Sequence, residues 1–132
     1  MTNFAFTTPT AAAIALGAAG GALGRWGLSH LVHQTVGHGF PYGTLSVNVL
    51  GCLAIGIVSA FLSSEERSAP EWLHAGIVLG VLGGFTTFST FGRETMLLLR
   101  DDRMAAALTY VLASNVAGLA ALWLGWFAFR QR

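Results

Sequence analysis

The amino-acid sequence predicts an all-α membrane domain of four spanning helices, and three observations carry that prediction. Of 132 residues, 54% are apolar and only 10% are Asp, Glu, Lys or Arg, whereas soluble domains carry about a quarter charged residues to meet water. The mean hydropathy is strongly positive. Four apolar runs, separated by short polar segments, approach the roughly twenty residues that cross about 30 Å of hydrocarbon as helix. Removing them leaves nothing long enough for a soluble domain, so residues 1–132 read as one four-helix domain.

The first run, about 9–32, is rich in Ala and Gly. The stretch from Met1 to Thr10 has no Lys or Arg, the charged start that a secretory signal needs, so this run is expected to be retained. The second run, about 42–62, follows Pro41, and the third, about 72–99, follows Pro70. Proline just ahead of a helix is harmless, because its missing N–H would be unpaired there anyway. The fourth run is about 104–129. Trp72 and Trp126 stand near expected span ends, at the headgroup level that indole rings favour. The first and third runs carry glycines four apart: Gly17 and Gly21, Gly20 and Gly24, Gly76 and Gly80, Gly80 and Gly84. Such faces let helices approach closely in lipid, either within one subunit or between subunits. Four helices fill their own core, so a path for any solute is expected between subunits.

Charge excludes several classes of function. A net charge of +1 offers no basic patch for nucleic acid. The single cysteine, Cys52, lies in an apolar run, which leaves no disulfide framework and no cysteine metal site. His30, His33, His38 and His74 fall near span ends without ligand-like grouping. No Ser–His–Asp arrangement or phosphate loop is present, and the glycine-rich stretches lie inside helices rather than after a strand. Catalysis is therefore not expected. Orientation is balanced: one face would hold Arg67, Arg130 and Arg132, the other Arg100 and Arg103 with Arg93 nearby. Because an arginine and lysine bias sets orientation, so even a count predicts insertion both ways round. Opposite copies would then pair as an antiparallel homodimer.

Chemistry concentrates in Gly83-Gly84-Phe85-Thr86-Thr87-Phe88-Ser89-Thr90-Phe91. Two adjacent glycines and four hydroxyl residues are poor material for an unbroken helix, and irregular backbone at membrane depth needs protein or a hydrated cavity around it. A break there would expose carbonyl oxygens, which hard cations prefer. The alternative is a kinked helix with Ser and Thr bonded to their own backbone. In the second run Thr44 and Asn48 are one turn apart, and in the fourth Tyr110 and Ser114, with Asn115 adjacent. Asn48, Ser89, Thr90, Tyr110 and Ser114 are all neutral donors, with no acid or base expected among them. Such a set suits a small anion that must be held loosely enough to leave. Phe88 and Phe91, close on one side of a helix, would add ring edges of partial positive charge. Arg25 either snorkels to an interface or draws anions to a vestibule. Arg93 and Glu94 are expected to pair or reach water near the span end.

These strings resemble the Fluc (CrcB) family of fluoride channels. The match lies in residues 83–91 followed by Glu94, with Gly20-Gly21-Ala22-Leu23-Gly24-Arg25 and Gly43-Thr44-Leu45-Ser46-Val47-Asn48-Val49-Leu50-Gly51 in the same order, and it covers essentially the whole chain. The resemblance implies a dual-topology homodimer of the bacterial inner membrane, with two antiparallel fluoride pores. It also implies a central structural sodium ion held by backbone carbonyls at the third-helix breaks. Residue by residue, Phe88 and Phe91 resemble the pore-lining pair and Asn48 the pore asparagine. Ser89, Thr90, Tyr110 and Ser114 resemble the polar track, Gly83 and Thr86 the sodium-holding carbonyls, and Arg25 the vestibule arginine. Trp26 stands where a Tyr is common. The implied activity is a passive, fluoride-selective leak that lets cytoplasmic fluoride out after HF has entered and dissociated. The alternative is a small proton-coupled exporter, which needs a titratable acid in its path; only Glu94 could serve.

Overall fold

The computed structural model describes residues 4–62 and 69–130, and among them every regular element is helical. Helix α1 is Thr8–Val36 and α2 is Tyr42–Leu62. Helix α3, residues 71–85, runs as an α-turn Glu71–Ala75, a wide π-helical stretch Gly76–Leu82, and a last α-turn Gly83–Phe85. After an extended pair come α4, Phe88–Arg100, and α5, Met104–Phe129. Helices α3 and α4 form one interrupted span.

Three segments are long and apolar enough to cross a membrane: Tyr42–Leu62, Glu71–Arg100 and Met104–Phe129. The 29 residues of α1, at 1.5 Å each, reach about 44 Å. Length suffices there, while Arg25, His30, His33 and Gln34 dilute its apolar character. Helix α1 starts where the Thr7 side chain accepts from the Thr10 N–H at 3.4 Å, with Pro9 in its first turn. It runs one turn past the expected end at residue 32. Thr35 donates to the Leu31 and Val32 carbonyls, each at 3.1 Å, and nothing stops the helix until Gly37 takes φ +95°, a conformation that favours glycine.

Backbones meet where the glycines fall. A Cβ on Gly17 would lie 2.5 Å from the Gly76 carbonyl oxygen of α3, and one on Gly84 would lie 2.6 Å from the Ala18 carbonyl oxygen of α1. The glycine faces of α1 and α3 therefore serve packing within the subunit, one of the two uses the spacing left open. Gly20, four residues from Gly24, has open space around it. Helices α2 and α5 approach in the same manner, with Gly125 against the Leu53 carbonyl. Helix α4 joins the bundle through Leu98, which packs with Ala107 and Tyr110, against Phe40, Leu45 and Phe91. The turn into α5 is tied down by the Arg103 guanidinium, which donates to the Gly39 carbonyl at 2.6 Å. Large apolar side chains such as Leu16, Leu112, Val116 and Leu119 stay exposed, as a lipid-facing surface requires. Arg67 and Arg132, both used in the orientation count, lie outside the described residues.

Candidate functional site

The third span is broken, and the break falls within residues 83–91, at their hydroxyl-rich part. Gly83 is helical at φ −65°, and Gly83–Phe85 continue the helix. The chain opens at Thr86 (φ −80°, ψ 158°) and Thr87 (φ −152°, ψ 116°). The break therefore falls inside the expected segment 83–91, among its hydroxyl residues rather than at its glycines: Gly84 provides close approach to α1, and at Thr86 and Thr87 side chains offer the backbone other partners. The Asn48 Nδ2 of α2 donates to the Thr87 carbonyl at 3.1 Å, and the Thr87 N–H donates to Asn48 Oδ1 at 2.9 Å. One amide thus pairs with both polar groups of one residue, which also fixes which way the amide points.

Beyond the break, Thr87 caps α4. Its Oγ1 accepts from the Thr90 N–H at 3.2 Å and donates to Thr90 Oγ1 at 3.0 Å, with Ser89 Oγ at 3.3 Å. On the α3 side the Thr86 N–H and hydroxyl both donate to the Leu82 carbonyl at 3.0 Å. The break takes the helical partners of the four carbonyls of residues 83–86, and for two of them the competing acceptor is plain. The Thr87 N–H that Gly83 would receive in a continuous helix goes to Asn48. The Thr90 N–H that Thr86 would receive goes to the Thr87 hydroxyl. Those carbonyls belong to the two residues singled out as cation ligands, and oxygen donors of this kind fit a hard cation such as sodium.

A cleft of about 330 Å³ opens beside the break. Asn48, Thr86, Thr87, Phe88, Phe91 and Ser114 contribute to its wall, and no charged side chain does. Phe88 stands at its edge with 82% of its surface exposed. Its ring centroid is 5.6 Å from that of Phe91, which lies 5.1 Å from that of Tyr110. The Ser114 hydroxyl is buried without a hydrogen-bond partner, although a helical serine ordinarily bonds the carbonyl one turn back. Asn48 has two amide hydrogens and spends one on Thr87. The cleft therefore offers unspent neutral donors and ring edges, the chemistry of a loosely held small anion.

The remaining residues take other places. Ser89 is exposed and Thr90 half-buried, both bonded to Thr87. Tyr110 is fully buried, and its hydroxyl donates to Glu94 Oε2 at 2.7 Å. Thr44 donates to Glu94 Oε1 at 2.9 Å. The expectation that no acid stands among these donors is corrected, because a carboxylate collects two of the hydroxyls. The sequence carried a signal for this: Thr44 shares a face with Asn48, and Glu94 follows Phe91 by one helical turn. Arg25, half-buried on α1, reaches neither cavity and has no hydrogen-bond partner among the described residues. A second cavity, about 260 Å³, lies at the span end between α1 and α4, where Arg93 and Glu94 meet His33, His38, Asp101 and Arg103.

Comparison with known proteins gives a consistent picture. The family model described as "CrcB-like protein, Camphor Resistance (CrcB)" matches residues 12–126. The chain is 48% identical over 116 residues to a protein of Geobacter metallireducens named fluoride-specific ion channel FluC, covering 88% of this chain and 93% of that one. It is 44% identical over 122 residues to a protein of the same name from Trichlorobacter lovleyi, covering 92% and 97%. A third of that name, from Methylobacillus flagellatus, is 42% identical over 113 residues, covering 85% and 88%.

Proposed function

This chain belongs to the CrcB-like family, and from that premise we propose that it is a passive, fluoride-selective channel of a bacterial inner membrane. It is a multi-pass membrane protein and not an enzyme. The observation that carries the reading is the cleft at the third-span break, which combines unspent neutral donors with the Phe88–Phe91 ring pair. A fluoride ion entering it exchanges water for the Ser114 hydroxyl, the free N–H of Asn48 and phenyl edges. A hydrogen bond to a charged group contributes about 1.5–3 kcal/mol, enough to offset part of the lost hydration without trapping the ion. Selectivity follows from size, since a small anion dehydrates only where several short donors converge. Fluoride that has entered the cell as HF and dissociated then leaks out down its own gradient.

The working unit is an antiparallel homodimer with dual topology. The cleft lies open at the side of the subunit and Phe88 projects from it, so a second copy is what closes the path. Pairing by a two-fold axis in the membrane plane follows from the even arginine count. The carbonyls of Gly83 and Thr86 from the two breaks would hold one sodium ion at that axis. When bound, the ion neutralises backbone oxygens that would each cost several kcal/mol in hydrocarbon. Phe88, Phe91, Asn48, Ser114, Ser89 and Thr90 line or support each pore, Tyr110 does so through Glu94, and Arg25 attracts anions to a vestibule.

Anion efflux from liposomes holding the purified protein tests the reading. Fluoride should leave rapidly, without a proton gradient, and should set a membrane potential, while chloride stays behind. The alternative, a proton-coupled exporter, is favoured by one observation, the titratable Glu94 clasped by Thr44 and Tyr110. Strict dependence of efflux on a proton gradient would establish it instead.

A further inference from the structure

The residue that shapes the break is on another helix. Nothing in the local backbone forces Thr87 out of the helix: Gly83 is helical, and threonine tolerates helical geometry at a modest cost. What competes with the helix is Asn48, whose Oδ1 takes the Thr87 N–H at 2.9 Å and whose Nδ2 serves the Thr87 carbonyl at 3.1 Å. Helix α2 is shaped for that contact one turn on as well, where Gly51 leaves room for the Thr86 methyl group; a Cβ at position 51 would collide with it. The Thr87 hydroxyl completes the arrangement by capping α4.

We infer that Asn48 is a positioning residue for the cation site as well as a pore residue. By holding the Thr87 peptide N–H, it prevents that group from returning to the Gly83 carbonyl and so keeps the carbonyl free for sodium. The inference rests on the sodium reading proposed above. It assigns one side chain two separable duties. The acceptor Oδ1 maintains the cation ligand, and the second N–H of Nδ2 remains for the anion.

Thermal unfolding of the full-length protein in detergent, titrated with sodium chloride against N-methylglucamine chloride, reads the first duty; liposome fluoride efflux reads the second. Sodium should raise the melting temperature of the unaltered protein. In Asn48→Ala the Thr87 N–H competes for Gly83, and the sodium concentration for half of the rise should increase about tenfold or more, the equivalent of about 1.4 kcal/mol. Asn48→Asp retains an acceptor for Thr87 and should keep the sodium response while losing fluoride efflux. Phe88→Ile, altered only in the cleft, should likewise keep the sodium response. If Asn48→Ala does not assemble, Asn48→Thr, whose hydroxyl cannot span both groups of Thr87, replaces it with the same expectation. An unchanged sodium response in Asn48→Ala or its replacement, with efflux lost, would reduce Asn48 to a pore donor and overturn the inference. A response lost as fully in Asn48→Asp would do the same. Absence of any sodium effect on the unaltered protein would remove the sodium reading itself, and the inference with it.

Discussion

Replacing Phe88 by isoleucine separates conduction from packing more cleanly than any other change in this chain. Full burial of a phenylalanine side chain is worth about 1.5–3 kcal/mol. With 82% of its surface exposed in the subunit, Phe88 contributes only about a fifth of that, roughly 0.3–0.5 kcal/mol, and isoleucine retains most of it. The substitution leaves the fold untouched and removes a ring edge facing the cleft. Taking the worth of an edge-to-face aromatic pair, about 0.5–1.5 kcal/mol, as the scale for a ring edge on an anion, occupancy at that point should fall between about twofold and tenfold. Throughput falls at least as far, because each ion must pass that point. The measurement is initial fluoride efflux from liposomes at matched protein density, beside size-exclusion profiles of the same preparation. Phe91→Ile should lose efflux too, with a modest loss of stability, since it also gives up the 5.1 Å contact with Tyr110. Phe85, whose ring lies towards Gly24 of α1 and outside the cleft, is the control, and Phe85→Ile should conduct nearly normally. Unaltered efflux in well-assembled Phe88→Ile and Phe91→Ile would reduce both rings to space-filling and remove the main support for the pore.

Three further outcomes are expected. Tyr110→Phe keeps the ring and removes the hydroxyl bonded to Glu94 at 2.7 Å, so stability should fall by about 1.5–3 kcal/mol. Thr44→Val should be non-additive with it in denaturant or thermal unfolding, because both serve one carboxylate. Gly17→Ala forces a Cβ to within 2.5 Å of the Gly76 oxygen and should cost about 1–3 kcal/mol, whereas Gly20→Ala, facing open space, should be tolerated; yield and melting temperature in detergent distinguish them. A tag at the carboxyl terminus should be found on both sides of the membrane in protease-protection assays. Two or three lysines added within residues 63–70 should bias insertion and lower the yield of conducting protein; protection on one side alone in the unaltered chain would contradict dual topology.

Local features were legible in the sequence to the extent that local physics decides them. Span positions follow from apolar length, and α2 and α5 begin and end where composition changes. That the third span breaks was readable from its glycines and hydroxyls. That the opened pair would be Thr86 and Thr87 was not, because the Thr87 N–H is taken by Asn48, 39 residues upstream, and a one-dimensional string does not say which backbone group a distant amide will meet. Glu94 illustrates the same limit: its neighbours in sequence suggest a span end, while its partners Thr44 and Tyr110 come from two other helices. The glycine spacing of α1 announced close packing without saying which glycines meet a neighbour and which face outward. Nothing in Gly76–Leu82 signals a π-helical turn, and the wide turn lies against α1.

The sideways opening of the cleft also bears on how the protein is made. A subunit newly released into the bilayer meets lipid before it meets another copy of itself. On the proposed pairing, hydrocarbon, which has no water to lend, would leave the space beside Phe88 to acyl chains until the second copy displaces them. The proposed pairing on this surface would then be an exchange of lipid for protein rather than a retreat of apolar surface from water. Its equilibrium answers to shape, to polar groups finding partners, and to the dilution of protein in lipid. Chain length and unsaturation of the surrounding phospholipids would then compete with the proposed pairing, acting on the same few side chains proposed to line the path of the ion.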